Sequence, residues 1–142
     1  MAVEISGRYT GQLKTEMIHG PSGAVLRTVP PVDNQGDGSQ FSPTDLVAAA
    51  LGSCMVSTMA IVAQRDGIDL AGATFHVEKH MHPEPRRIGK LPVVIHLPAH
   101  LTPAERTKLE RAGQTCPVHR SLLPEIEQDV KFVYDLHEPG RP

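Results

Sequence analysis

Two thiols carry the chemistry open to this sequence. Cys116 precedes Pro117 and a segment, 118–123, of helical composition. That pattern puts the cysteine at a helix N-cap, where free N–H groups and the helix dipole favour a thiolate. On local sequence alone it is the better nucleophile of the two. His119, three residues on, falls on the same turn and can support that thiolate or act as a second metal ligand beside it; the plainer alternative is a cysteine that closes a loop. Cys54 stands between Ser53 and Met55 in an uncharged run, where the plain reading is a small apolar filler, inert unless a cation or hydrogen-bond donor lies beside it. His76, His80 and His82 have even spacings, so on one strand they would share a face, as metal ligands can. No C-x-x-C and no H-E-x-x-H occurs, and no dedicated metal site or cofactor is expected. The G-x-S-x-G elbow, the Walker loop and the dinucleotide fingerprint are missing too, so hydrolase and nucleotide chemistry lose their usual support.

The elements that must position these side chains can be read from punctuation and period. Leu46 to Ala63 is free of charge and reaches the lower edge of a membrane-spanning length, but Gly52, Ser53, Ser57 and Thr58 interrupt it and no aromatic belt or basic flank anchors it. It reads as a soluble core helix buried on nearly all sides. Ser42 is its N-cap, Pro43 its first residue, Asp45 the acid three residues after the cap, and Gly67 its stop. Ala49, Ser53 and Ser57 form a stripe of small residues that lets another element approach closely. Before this helix, Val3 to Val29 reads as hairpins broken by Gly7, Gly11 and Gly20-Pro21-Ser22-Gly23, followed by a polar loop from Pro30 to Gln40. After it, Ala73 to His80 and Ile88 to Leu97 alternate with a strand period around His82-Pro83-Glu84-Pro85, as one hairpin with a long tip. Thr102, Pro103 and Glu105 open a helix ending near Gly113. A short helix then begins near Cys116-Pro117, and Val130 to Leu136 is a last strand. Strands, helix, strands, helices and strand make an α+β pattern rather than a parallel βαβ wind.

Composition sets the outer limits. The chain has 142 residues, enough for one domain spanning 1–142. Fourteen Lys and Arg against sixteen Asp and Glu give a net charge of −2, which argues against a nucleic-acid partner. Hydrophobic residues at 39%, charged residues at 21% and a mean hydropathy of −0.21 describe a soluble globule, with no membrane association expected. With no Trp and only 4% aromatic residues, aliphatic side chains must fill the core. Two cysteines and a start without a signal-peptide pattern point to the cytoplasm.

Ser42-Pro43-Thr44-Asp45-Leu46-Val47-Ala48-Ala49-Ala50-Leu51-Gly52-Ser53-Cys54, followed by Thr115-Cys116-Pro117-Val118-His119-Arg120-Ser121-Leu122, resembles the OsmC/Ohr family. Both cysteines fall in its two motifs, and the order of elements is similar along the whole chain. The resemblance implies an α+β fold with antiparallel sheets around a long central helix, in an intertwined homodimer. It also implies an antioxidant activity: reduction of organic hydroperoxides or hydrogen peroxide by a two-cysteine cycle, with Cys54 as the peroxidatic thiolate, Cys116 as the resolving partner and a dithiol, a lipoylated protein among the candidates, as reductant. These roles reverse the ranking drawn from local sequence. Thr44 stands where Ohr-type members carry a Glu bonded to a thiolate-supporting Arg; Asp45, one position later, either substitutes for it or serves as the capping acid. Arg8 and Arg27 lie in the region where that Arg is expected, and His119 stands where many members have a small hydroxyl residue. The alternative function is a dimeric small-ligand or thiol-binding module that keeps the scaffold without efficient turnover.

Overall fold

The uncharged run folds as one helix because its first turn is closed from both sides. Ser42 Oγ accepts from the Asp45 backbone N–H at 3.0 Å and Asp45 Oδ2 accepts from the Ser42 N–H at 2.9 Å, the reciprocal box that the spacing of Ser42 and Asp45 predicts. Helix α1 runs from Pro43 to Arg65, and Gly67, with φ of 71°, lets the chain turn away at no steric cost. This computed structural model describes residues 1–137. They divide into two compact units, Met1–Val47 and the chain from Ala48 onward.

The first unit carries a three-stranded antiparallel sheet in the order β1-β2-β3, formed by β1 (Ile5–Gly11), β2 (Lys14–His19) and β3 (Val25–Thr28). Gly7 does not break the sheet as expected; it lies inside β1 opposite Met17. The break expected at Gly11 is found, as a turn through Gly11, Gln12 and Leu13, all with positive φ. Register places Glu16 opposite both Arg8 and Arg27. Its carboxylate pairs with the two guanidinium groups at 3.4 Å and 3.0 Å.

The second unit adds β4 (Thr74–Val77), β5 (His80–Pro83), β6 (Arg86–Lys90), β7 (Val93–Pro98), α2 (Pro103–Gly113), α3 (Pro117–Ser121) and β8 (Val130–Leu136). The expected single hairpin is two pairings, β4 with β7 and β5 with β6. Pro92, which has no N–H to give a ladder, falls in the gap between β6 and β7, and its carbonyl accepts from the Glu78 N–H at 3.0 Å. Antiparallel pairing also fails at one place, since β8 runs parallel to β7 in the β4-β7-β8 sheet. The connection between them contains α2 and α3, and a crossover of that length is what parallel neighbours require.

Val93, Ile95 and Leu97 of β7 are fully buried while Val94 and His96 between them are not, the alternation of a sheet with one covered face. Leu51, Met55 and Met59 of α1 and Leu109 of α2 complete this core. Helix α1 is therefore buried along one stripe rather than on nearly all sides: Ala50, Ser53, Ser57 and Ile61 are exposed. It is one helix long and apolar enough to cross a membrane by length and composition. Gly52 is needed for the packing, because a Cβ there would lie 2.4 Å from the Phe75 ring and 2.8 Å from Val77 of β4.

Candidate functional site

Cys54 sits on the margin of α1. Leu51 and Met55 beside it are buried and Ser53 and Ser57 are exposed, which leaves its thiol half-buried between core and surface. The 3.6-residue period puts the residue at that boundary. Thr58, one turn on, bonds the Cys54 carbonyl at 2.7 Å, and the thiol takes no part in that bond.

Cys116 is the N-cap of α3, with Pro117 at the first helical position. Its Sγ accepts from the His119 backbone N–H at 3.3 Å, so a thiol fills the role that a hydroxyl or carboxylate oxygen usually plays at a cap. The residue is completely buried. It is also near Cys54: the two side chains lie close enough for each to feel the other's charge, a proximity that sequence distance alone could not establish. Burial pushes the Cys116 thiol up from its ordinary value, the N–H groups of His119 and Val118 pull the other way, and contact with Cys54 together with any charge there adds to the rise. The pair therefore joins a half-buried cysteine to a fully buried one that holds its proton more tightly than usual.

The half-buried His119 ring reaches Gln128, bonding Nδ1 to Oε1. With the amide oxygen facing it, the imidazole donates from Nδ1. Gln128 is the residue that local pattern did not reveal, because it lies in an irregular segment and only the fold brings it back to α3. The bonds of Asp45 with Ser42 are those of the capping box. Arg8 and Arg27 both engage Glu16 of β2; a cross-strand Arg-Glu-Arg ladder is readable from sequence once the register is known, and the register is what sequence lacked.

The histidines do not share one strand face as expected. His76 belongs to β4 whereas His80 and His82 belong to β5. Nε2 of His80 approaches Glu78 at 3.0 Å and Nε2 of His76 at 3.9 Å, and Nδ1 of His82 accepts from the Glu84 backbone N–H at 3.3 Å. Among the described residues no group of three or more His, Cys, Asp or Glu could hold a metal ion. A cleft of about 350 Å³ along α1 is lined by Val56, Ala60, Gln64 and the loop from Ile68 to Ala73, and neither cysteine lines it.

The OsmC-like protein family model matches residues 36–131, which include both cysteines. A Psychrobacter arcticus 273-4 protein, provisionally named for osmotic stress induction and a detoxification response, is 38% identical over 93% of this chain and 95% of its own, with a TM-score of 0.85. The fold is shared with an organic hydroperoxide resistance protein of Legionella pneumophila, at 19% identity, 94% and 97% coverage and a TM-score of 0.70. It is shared too with one of Elizabethkingia anophelis, at 16% identity, 95% and 97% coverage and a TM-score of 0.75. No curated protein matches the chain. With both cysteine motifs inside the matched region and the α+β architecture in common, the chain belongs to the OsmC-like protein family.

Proposed function

We propose that this protein reduces organic hydroperoxides, and hydrogen peroxide, through a two-cysteine cycle. The observation that carries the reading is the meeting of a half-buried Cys54 thiol with a buried Cys116 thiol. The names of the hydroperoxide resistance proteins that share the fold support it. Cys54, on the solvent side of the pair, attacks the distal oxygen of the peroxide as a thiolate; the O–O bond breaks, the sulfur becomes a sulfenic acid, and the leaving alkoxide takes a proton to become an alcohol. The Cys116 sulfur then attacks the sulfenic sulfur. An S–S bond forms, and the hydroxyl leaves with the thiol proton as water. A dithiol reductant, a lipoylated protein among the candidates, returns two electrons and two protons. Asp45 acts as the capping acid, and no step runs through it. The cycle operates in the cytoplasm, in a homodimer whose protomer works as one OsmC-like domain.

Peroxide consumption with simple and lipoylated dithiols, followed beside intact mass, tests the cycle. Wild type is expected to consume cumene hydroperoxide and to lose two hydrogens on mild oxidation, while Cys54→Ser is inactive and Cys116→Ser accumulates added oxygen. Equal and negligible turnover in wild type and Cys54→Ser would leave the non-catalytic thiol-binding module as the better account.

A further inference from the structure

Closing the disulfide asks more of the Cys116 sulfur than chemical reactivity. It must sit within bonding range of Cys54 for long enough to react before a second peroxide does. The element that holds it, α3, spans five residues, too few for a helix to fix its own geometry. Something outside α3 must hold the turn. The His119 ring, whose own backbone N–H rests on the Cys116 sulfur, is bonded to Gln128. Gln128 in turn is a fixed post. On one side of it, Glu127 is tied to the strand region by its N–H to Gly89 O at 3.0 Å and by its carbonyl from Leu91 N–H at 2.8 Å; on the other, the Asp129 carbonyl accepts from Val93 N–H at 2.8 Å. Backbone bonds to β6, to Leu91 and to β7 thus bracket Gln128, and its side chain reaches from that platform to the turn that carries the sulfur.

We propose that the His119–Gln128 bond is the tether that positions Cys116 for disulfide closure. His119 is on this reading a positioning residue, acting through the cap turn and taking no proton in the reaction. The inference rests on the two-cysteine cycle proposed above. It concerns the second step alone: sulfenic acid at Cys54 plus the Cys116 thiol gives disulfide and water, in competition with a second peroxide that converts the sulfenic acid to sulfinic acid and an alcohol.

The test is the partition between those products. After one brief exposure to cumene hydroperoxide, intact mass gives the ratio of disulfide to sulfinic acid. That ratio counts only molecules already oxidised at Cys54, so it does not depend on how fast the first oxidation runs. Loosening the turn by a fraction of an ångström to an ångström is expected to shift the ratio about tenfold or more toward sulfinic acid in His119→Ala and in Gln128→Leu. His119→Asn places an amide N–H near the position of Nδ1–H and is expected to restore the wild-type ratio. Gln128→Glu keeps the acceptor and serves as the check if the alanine variant fails to fold; it too is expected to match wild type. A wild-type ratio in both His119→Ala and Gln128→Leu overturns the tether. So does a His119→Asn variant as poor as His119→Ala, which would mean the imidazole is needed for its proton chemistry. A wild type that gains neither oxygen nor a disulfide overturns the cycle itself, an outcome separate from intact closure in every variant.

Discussion

At the scale of single residues, the two cysteines differ in what ionisation costs them. Cys116 has no exposed surface and burial is the first reason its thiol is held above the ordinary range; the N–H contacts at the cap offset only part of that. A proton bound more tightly in the folded chain than in the unfolded one stabilises the fold fully below the unfolded thiol's pKa, about 8.5. That contribution is lost as pH rises through the higher folded value. The melting-temperature advantage of reduced wild type over Cys116→Ser is therefore expected to shrink between pH 7 and pH 10 under reducing conditions. A gap that stays constant across that range would show that Cys116 ionises as freely in the fold as outside it. On the proposed cycle, burial rather than the held proton is what fits Cys116 to the second step, since it keeps that sulfur from peroxide until Cys54 has been oxidised.

At the scale of elements, α1 and β4 meet at a glycine. Ala is a better helix former than Gly by about 1 kcal/mol, so propensity alone favours Gly52→Ala. Packing opposes it, because the added methyl would stand 2.4 Å from one Phe75 ring carbon and 2.8 Å from Val77, well inside contact distance. Overpacking of that kind costs roughly 1–3 kcal/mol, and a net loss of stability is expected by urea denaturation. In a Phe75→Ala background the same substitution should lose at least half of that penalty; an undiminished penalty there would locate the strain elsewhere. Helix α2, which precedes Cys116 in the chain, is fastened to the β4-β7-β8 sheet by a polar cluster as well as by the core. Tyr134 of β8 bonds Glu110 of α2, and the Arg106 guanidinium lies 4.2 Å from the Tyr134 ring centre. Burial and the bond to Glu110 hold the Tyr134 hydroxyl well above its usual pKa, so at physiological pH it remains a donor.

At the scale of the whole molecule, much apolar surface is left uncovered. Ile5 is 66% exposed, Tyr9 65% and Leu26 44%, on one face of the first unit's three-stranded sheet by register, and α1 exposes Ile61 beside Ser53 and Ser57. Apolar surface of that kind is more often an interface than a solvated face. A homodimer is expected, with sedimentation at micromolar concentration giving a species near twice the chain mass of 15.4 kDa. Leu26→Asp together with Ile5→Asp should shift it to monomer, because two charges on one face would then lose their water on association. A monomeric wild type would count against the intertwined architecture that the family resemblance implies.

Features that depend on neighbours along the chain are legible before any folding is known. The capping boxes at Ser42 and Thr102, the ends of α1 and α2, the N-cap position of Cys116 and the last strand from Val130 to Leu136 all follow from contacts within a few residues, and each is found where its residues put it. The two motifs around Cys54 and Cys116 also sufficed to indicate the family. Tertiary structure alone decided what depends on residues far apart in the chain. It replaced one long hairpin by two pairings, made β8 parallel to β7, put His76 and His80 on separate strands and confined the burial of α1 to one stripe. It also brought Cys54 near Cys116 and Gln128 to His119. Period and propensity report the face a side chain prefers, whereas register, crossover and the identity of the group across a gap are fixed by how whole elements pack, and no local pattern encodes that choice.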